Sequence, residues 1–349
     1  MKKAGFYSPY LDVLGGGEFY SLGVLEWLLT KGYQVDLFWP DETILKKLTA
    51  RFNFQANKNL QIKNFPSKQL ERLGQLKNYD HFFYMTDGSL FFSSAKNSTL
   101  LIQSPVHMPA LNLINWLKLK TWHQLICYSS YMQKALPKPF KACIQVIYPP
   151  VNNQEFQAEK KAKIILSVGR FFCQPNNKKH QFLIKVFQDL LPQMTGWQLI
   201  IAGSLSTADQ ARFKQLKKAV QSPSIKLLPN LSFNELKALY GKAAIYWHAA
   251  GYAEDLVQYP EKAEHFGITT VEAMASGAVP VVIEAGGQPE IVTHGQNGLL
   301  WQTKKELIGQ TLQLIKLNKN WQRLSRAAQK RAQDFSKAKF FQSLNEKII

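Results

Sequence analysis

Short apolar runs alternate with longer amphipathic segments along this chain, and the alternation runs through twice with one break at a pair of prolines. Strand, helix, strand, helix in that order is the pattern of a parallel sheet covered by helices. Ala4–Tyr7 reads as a first strand, and Glu18–Thr30 as a helix with Phe19, Leu22, Leu25 and Leu29 at helical spacing. Gln34–Trp39, His81–Met85, Thr99–Gln103, Gln124–Tyr128 and Gln145–Tyr148 read as further strands. Pro149-Pro150-Val151-Asn152-Asn153 then interrupts, because proline removes a backbone donor and restricts its predecessor. After it the pattern restarts with Lys163–Val168, Gln198–Ala202, Ile225–Leu228, Ile245–His248 and Val279–Ile283 as strands. Helices are expected over Lys179–Leu191, Ala208–Val220, Phe233–Gly241 and Thr270–Ser276.

Two doubly wound α/β domains facing one another are therefore expected, residues 1–152 and 153–333. At 349 residues the chain is long enough for both, and a hydrophobic fraction of 46% supplies two cores. The tail from Lys304 is helical, basic and amphipathic, and residues 334–349 are expected to form a helix packing back toward the first domain. In open parallel sheets ligands bind beyond the carboxyl ends of the strands, so the loops after strands are where chemistry belongs.

The charge balance is lopsided: 43 Lys and Arg against 24 Asp and Glu, a net +19. Such a chain attracts phosphorylated small molecules, anionic membrane surfaces or nucleic acid. The basic residues are spread out and form no nucleic-acid recognition motif, so no nucleic-acid partner is expected; a basic nucleic-acid-binding protein without catalysis is the rival reading. Cys127, Cys143 and Cys173 form no metal-ligand spacing, and three cysteines fit a reducing cytoplasm. Met1-Lys2-Lys3 is followed by no long apolar stretch of a signal peptide, and no segment is apolar enough to span a membrane. Leu111–Trp122 mixes Leu113, Ile114, Trp116, Leu117 and Trp122 with Lys118 and Lys120, the composition of an interfacial helix or of one packed on a sheet.

The most informative stretch is Glu264-His265-Phe266-Gly267-Ile268-Thr269-Thr270-Val271-Glu272-Ala273-Met274-Ala275-Ser276-Gly277. Gly267 permits close backbone approach, and Thr269 or Thr270 is expected to cap a helix that carries Glu272 in its first turn and stops at Gly277. A helix start offers unpaired amides and partial positive charge, which suits a pyrophosphate. From spacing alone, a capped core helix with two surface glutamates fits equally well.

This stretch resembles the Glu-x7-Glu signature of glycosyltransferase family 4, and its Glu-His-Phe-Gly-Ile form resembles mannosyltransferases. Gly286-Gly287-Gln288-Pro289-Glu290-Ile291-Val292 and Gly295-Gln296-Asn297-Gly298-Leu299-Leu300 follow the same pattern. The resemblance implies the GT-B fold, two facing Rossmann-like domains with a cleft between them, and retaining transfer from a nucleotide-sugar. It implies that Glu264 contacts the transferred sugar and Glu272 the ribose. The amides around Phe266, Gly267, Ile268 and Thr269 would then hold sugar and phosphate oxygens.

Three further loops join this reading. Gly169-Arg170 follows a strand and precedes Lys178-Lys179-His180. Arginine presents a fork matched to phosphate oxygens and lysine adds a point charge, so both can meet the charge that develops on a departing nucleoside diphosphate. The family pattern is Gly-Arg, a short spacer, then Lys-Gly. Here the spacer is longer and His180 replaces the glycine, so Lys179 is the expected phosphate ligand and Lys178 the fallback. Gly15-Gly16-Gly17-Glu18 after the first strand resembles the family's glycine-rich loop, which points to Gly16 and Gly17 as donor contacts. Gln103-Ser104-Pro105-Val106-His107-Met108-Pro109 carries a His-x-Pro that resembles retaining GT-B enzymes, which places His107 against the sugar.

The resulting expectation is an enzyme whose second domain binds the donor through Glu272, Arg170 and Lys179 and whose first binds the acceptor. With Glu264, His107, Arg170 and Lys179 as its catalytic set and no Asp-x-Asp motif, it needs no metal or other cofactor. Mannose from GDP-mannose is the favoured donor, and UDP-sugars remain open. A saccharide or lipid-linked saccharide is the expected acceptor, in the cytoplasm and with the inner membrane face as a possible anionic partner.

Overall fold

A computed structural model describes residues 2–348 apart from 14, 142–143, 173–176 and 317. Cys143 and Cys173 lie outside the described residues; Cys127 is a buried free thiol. The chain divides into two compact units, Met1–Pro150 with Lys337–Ile349, and Val151–Ser336.

The first unit holds seven strands: β1 (Lys3–Tyr7), β2 (Gln34–Phe38), β3 (Leu60–Lys63), β4 (His81–Met85), β5 (Asn97–Ile102), β6 (Gln124–Cys127) and β7 (Ile144–Val146). They form one parallel sheet in the order β3-β2-β1-β4-β5-β6-β7. Side chains alternate across it, as strand geometry demands. Phe83 and Met85 of β4 enter a cluster with Phe6, Leu25 and Trp27, while Phe82 and Tyr84 enter a second with Leu100, Trp122 and Met132. The helix Lys337–Ile348 adds Phe340, Leu344 and Ile348 to the first cluster, and Trp27 Nε1 donates to Asn345 Oδ1 at 3.0 Å. Gly23 makes this packing feasible: a Cβ there would stand 2.9 Å from the Phe340 ring.

The second unit repeats the topology. Its strands β8 (Ala162–Val168), β9 (Gln198–Gly203), β10 (Ile225–Pro229), β11 (Ala243–His248), β12 (Val279–Ile283) and β13 (Leu299–Trp301) lie parallel in the order β10-β9-β8-β11-β12-β13. Strand order reverses between β8 and β11, so the crevice for a ligand lies beyond the carboxyl ends of those two strands. Ile165, Leu199, Ile201, Ile245, Trp247, Val279 and Val281 build one core face.

Several local expectations are corrected. The first helix begins at Gly16, not Glu18, with Gly15 at its cap. The strands Leu60–Lys63 and Leu299–Trp301 were not anticipated; both sit at sheet edges. The basic tail is three helices, Lys304–Lys316, Asn318–Ala332 and Lys337–Ile348. Leu111–Trp122 forms only a short helix, Leu113–Leu119, and Trp122 beyond it is buried. No described helix is long and apolar enough to cross a membrane.

Candidate active site

In the second unit the chain beyond β8 turns at Gly169-Arg170, and the backbone is pressed tightly on that beyond β9. A Cβ on Gly203 would overlap the Gly169 carbonyl, and Phe171 N donates to Ser204 O at 3.0 Å. Gly169 in turn leaves room for the stem of Lys178, whose Cγ would be 2.7 Å from any Cβ there. The ammonium of Lys178 thereby reaches Glu264 Oε2 at 2.6 Å. The same oxygen is 3.1 Å from Nε2 of His248, the last residue of β11.

The segment carrying Glu264 is held from behind by two glycines. Gly287 N donates to Glu264 O at 2.8 Å, and a Cβ on Gly287 would stand 2.5 Å from His265 O. Gly286 takes φ +63° and abuts the Glu264 carbonyl, so no side chain fits there. The helix that follows is Ile268–Ala275, capped by Gly267 at φ +122° with no side-chain cap. Thr269 and Thr270 do not serve as the expected caps because the helix starts before them, at Ile268; inside its first turn their hydroxyls meet tertiary partners, Tyr246 donating to Thr269 Oγ1 at 2.8 Å and Thr270 to Gln288 Oε1 at 2.9 Å. The first amides of a helix have no intrahelical acceptor, and no acidic residue occupies this first turn. Glu272 lies in the second turn rather than the first, with Oε2 accepting from Tyr240 at 2.7 Å.

Tyr246 ties these parts together. Its hydroxyl stands 3.4 Å from Val168 O, two residues before Arg170, and also reaches Thr269 at the helix start. The unit thus gathers the Arg170 turn, Lys178, Glu264 and an uncapped helix start at the switch point of the sheet. Arg170 itself is exposed, with no carboxylate partner among the described residues.

Burial by itself raises the Glu264 carboxyl, but the Lys178 charge and the His248 hydrogen bond outweigh it and hold the group well below the usual carboxylate range. Its side chain is 19% exposed, so an ionised oxygen remains reachable. Burial pushes His248 down despite Glu264 beside it. The ring is accordingly neutral, with its proton on Nε2 facing the carboxylate. His180 is buried against Phe171, neither ring nitrogen has a hydrogen-bond partner among the described residues, and burial with the charges of Lys178 and His248 pushes it down to about 3.

Lys179 is placed differently from expectation. It adopts φ +58° at the N-cap of His180–Leu190, its amide donating to Asn177 Oδ1 at 2.7 Å. This left-handed turn directs its ammonium to Glu254 at 2.5 Å, and Glu254 also holds Lys262 at 2.9 Å. Lys178, the fallback, is the lysine on Glu264.

In the first unit, Gly16 and Gly17 form the first turn of Gly16–Thr30. A Cβ on Gly17 would collide with Gln103 Oε1, and Gln103 Nε2 lies 3.4 Å from His107 Nδ1. Gly17, Gln103 and His107 are therefore neighbours, and the Tyr10 ring stacks on His107 with centroids 5.3 Å apart. Burial lowers His107, against the opposing charge of Asp87. Glu18 folds back, accepting from Gly15 N at 2.7 Å.

Sequence reasoning gave no role to His248, Tyr246, Tyr240, Gln103 or Glu254. His248 ends a strand beside the switch point, a position that marks ligand-facing residues, but it closes an apolar run and reads as core. Among the described residues no group of three or more His, Cys, Asp or Glu is arranged to hold a metal ion.

Residues 150–331 match the family model of glycosyl transferases group 1. The chain is 31% identical over 162 residues to the Mus musculus GDP-Man:Man(3)GlcNAc(2)-PP-Dol alpha-1,2-mannosyltransferase, a match covering 42% of this chain and 30% of that protein. It is 24% identical over 328 residues to an uncharacterized glycosyltransferase of Haemophilus influenzae, covering 86% of each chain. In structure it is similar to Anabaena Alr3699/HepE, crystallised in complex with UDP and glucose. That likeness has a TM-score of 0.72 at 19% identity and covers 99% of this chain and 98% of the other.

Proposed function

From its membership of the glycosyl transferases group 1, the family to which this chain with its GT-B fold belongs, we propose that it is a retaining, family-4-type hexosyltransferase. It moves mannose from GDP-mannose to a saccharide or lipid-linked saccharide, and it works in the cytoplasm. The observation that carries this reading is the ionised Glu264, fixed by Lys178 and His248 beside an uncapped helix start and the Arg170 turn.

In this reading the donor diphosphate lies against the amides of Gly267, Ile268 and Thr269, and Arg170 clasps it from the neighbouring turn. Lys178, rather than Lys179, is the lysine next to the reacting sugar; Lys179 reaches phosphate only by leaving Glu254. Glu264 accepts hydrogen bonds from sugar hydroxyls, since an ionised carboxylate is acceptor-only. Glu272 takes the ribose hydroxyls, oriented by Tyr240. Fixed cations and amides neutralise the leaving diphosphate, so transfer proceeds without a metal. Among the described residues no second carboxylate stands beside Glu264 as a nucleophile. Retention therefore comes from same-face displacement: the acceptor oxygen forms its bond to the anomeric carbon as the bond to phosphate breaks, and the acceptor proton passes to the departing phosphate. The name of the mouse relative supports GDP-mannose.

Calorimetric titration with GDP and UDP tests the donor. GDP is expected to bind and UDP to bind at least tenfold more weakly, about 1.4 kcal/mol. The UDP and glucose held by the Anabaena protein favour the second reading, a UDP-sugar enzyme, and the reverse preference would establish it. Arg170→Ala is expected to weaken nucleotide binding by roughly tenfold or more. If it leaves binding unchanged, the phosphate site is elsewhere.

A further inference from the structure

We infer that the segment Val106–Lys120 is a docking face for a bilayer surface rich in anionic phospholipid. Six of the ten large apolar side chains that are exposed among the described residues fall here: Val106, Leu111, Leu113, Ile114, Trp116 and Leu117. The remaining four are Val13, Leu70 and, two positions apart, Val257 and Tyr259, and none of these groups approaches six. An apolar patch on this scale marks an interaction site, whereas single exposed apolar residues do not.

The helix Leu113–Leu119 is built the wrong way out for a helix covering a sheet. At about 100° per residue, Leu113, Ile114, Trp116 and Leu117 share one broad arc, and Leu119 lies outside it. Leu119 is the side chain that packs on the core, and the arc is exposed, with Leu113 71% and Ile114 62% accessible. Trp122 moors the segment from below, its Nε1 donating to Phe91 O at 3.0 Å. Asn112 caps the helix by accepting from Asn115 N at 2.8 Å, and Asn115 Nδ2 donates to Ala110 O at 2.9 Å. The face is thus preformed rather than a loose loop.

Charge selects the occupant. Between Asp87 and Glu155 the sequence has no acidic residue, and two lysines, Lys118 and Lys120, lie in the segment itself; Lys96, before it, is already paired with Asp80 at 2.7 Å. Lys120 lies over the Trp116 ring at 3.7 Å, a stem on apolar surface with its ammonium at the edge. Apolar residues flanked by lysines, with no carboxylate near in sequence, match a bilayer interface with anionic headgroups. A second copy of the chain matches less well, because a two-fold contact through this patch would set Lys118 and Lys120 against their own kind. The inference does not depend on which sugar is transferred.

Co-sedimentation with phosphatidylcholine vesicles, with and without phosphatidylglycerol, tests it on the full chain. Binding is expected to the phosphatidylglycerol vesicles and to weaken with salt. Ile114→Ser with Trp116→Ser, both at exposed positions, is expected to reduce vesicle binding by about tenfold or more, with nucleotide affinity and circular dichroism unchanged. Arg323→Ala with Arg326→Ala, on the basic helix Asn318–Ala332, is the charge control and is expected to bind vesicles as the parent does. The inference is overturned if the parent ignores anionic vesicles, or if the Ile114/Trp116 variant binds them normally. It also fails if that variant instead turns a dimer into a monomer in light scattering, or if only the Arg323/Arg326 variant loses binding.

Discussion

The helix Gly16–Thr30 begins with a carboxylate already in place, whereas Ile268–Ala275 begins without one. Both follow glycine, and both lie in units of the same strand order. At the first, Glu18 turns back onto Gly15 N, so a negative charge of the protein's own sits at the positive end of the helix. At the second, glycine holds the cap position, the threonine hydroxyls inside the first turn bond to Tyr246 and Gln288, the first turn has no acid, and Lys178 and Arg170 belong to the same neighbourhood. A glycine-rich helix start is therefore not in itself an anion site. What distinguishes the two is whether the protein has already answered the helix dipole.

Replacing the two glutamates should separate these roles most clearly. Glu264→Ala removes the fixed acceptor and leaves Lys178 and His248 without their partner; kcat/KM is expected to fall roughly a hundred- to a thousandfold, with a smaller change in nucleotide affinity. Glu18→Ala removes a cap, and the expected cost is about 1–2 kcal/mol of stability, seen as a lower denaturation midpoint, with transfer within a few-fold of the parent. Equal losses of activity from both would mean that the first helix start is part of the reacting centre and the contrast is wrong.

The adjacent lysines give the next largest contrast. Lys178→Ala strips the charge partner from Glu264 and is expected to lower kcat/KM by roughly ten- to a hundredfold. Lys179→Ala breaks a partly buried pair with Glu254, which keeps Lys262 as a partner and has no contact with Glu264, and an effect within about threefold is expected. The opposite ranking, measured under single-turnover conditions, would return Lys179 to the phosphate.

That ranking also shows where the sequence could be read and where it could not. Strands His81–Met85 and Val279–Ile283 have the ends that their apolar runs suggest, because the interior of a parallel sheet tolerates nothing else. The edge strand Leu60–Lys63 escaped, since Leu-Gln-Ile-Lys is short and half exposed, and an edge imposes no continuous apolar run. The proline-rich join was visible at Pro149-Pro150 because proline acts locally. The site was legible only as far as local rules reach. Gly267 and Glu264 announce a turn into a helix, but the choice between Lys178 and Lys179 depends on a left-handed lysine, which no glycine signals here. The partners of the threonine hydroxyls, Tyr246 and Gln288, lie 23 and 18 residues away. His248 depends on a sheet neighbour and a loop meeting in space. Contacts of that range leave no trace in spacing.

The smallest effect concerns protonation, and it too divides the two helix starts. Around Glu264 the protein buries two imidazoles beside a lysine, and His180 is held down to about 3 with neither nitrogen bonded to any described residue. An unfolded histidine takes up its proton near 6.5. Between these values the unfolded chain binds the proton that the folded chain refuses. Stability from His180 is thus complete above about pH 6.5 and is lost progressively as pH falls toward 3, by at most about 1.4 kcal/mol per pH unit. His248, lowered in the same direction, adds to the slope. Glu264 acts in the same sense but later, because its contribution is lost only as pH falls through a folded value well below the usual carboxylate range. Urea denaturation midpoints across pH 4 to 7 should therefore rise with pH, and His180→Gln should flatten the rise. A slope unchanged in that variant would mean that His180 takes up its proton as readily in the folded chain as in the unfolded one, held by an acceptor, and that the surroundings of Glu264 are less strictly closed to a further cation than their geometry requires.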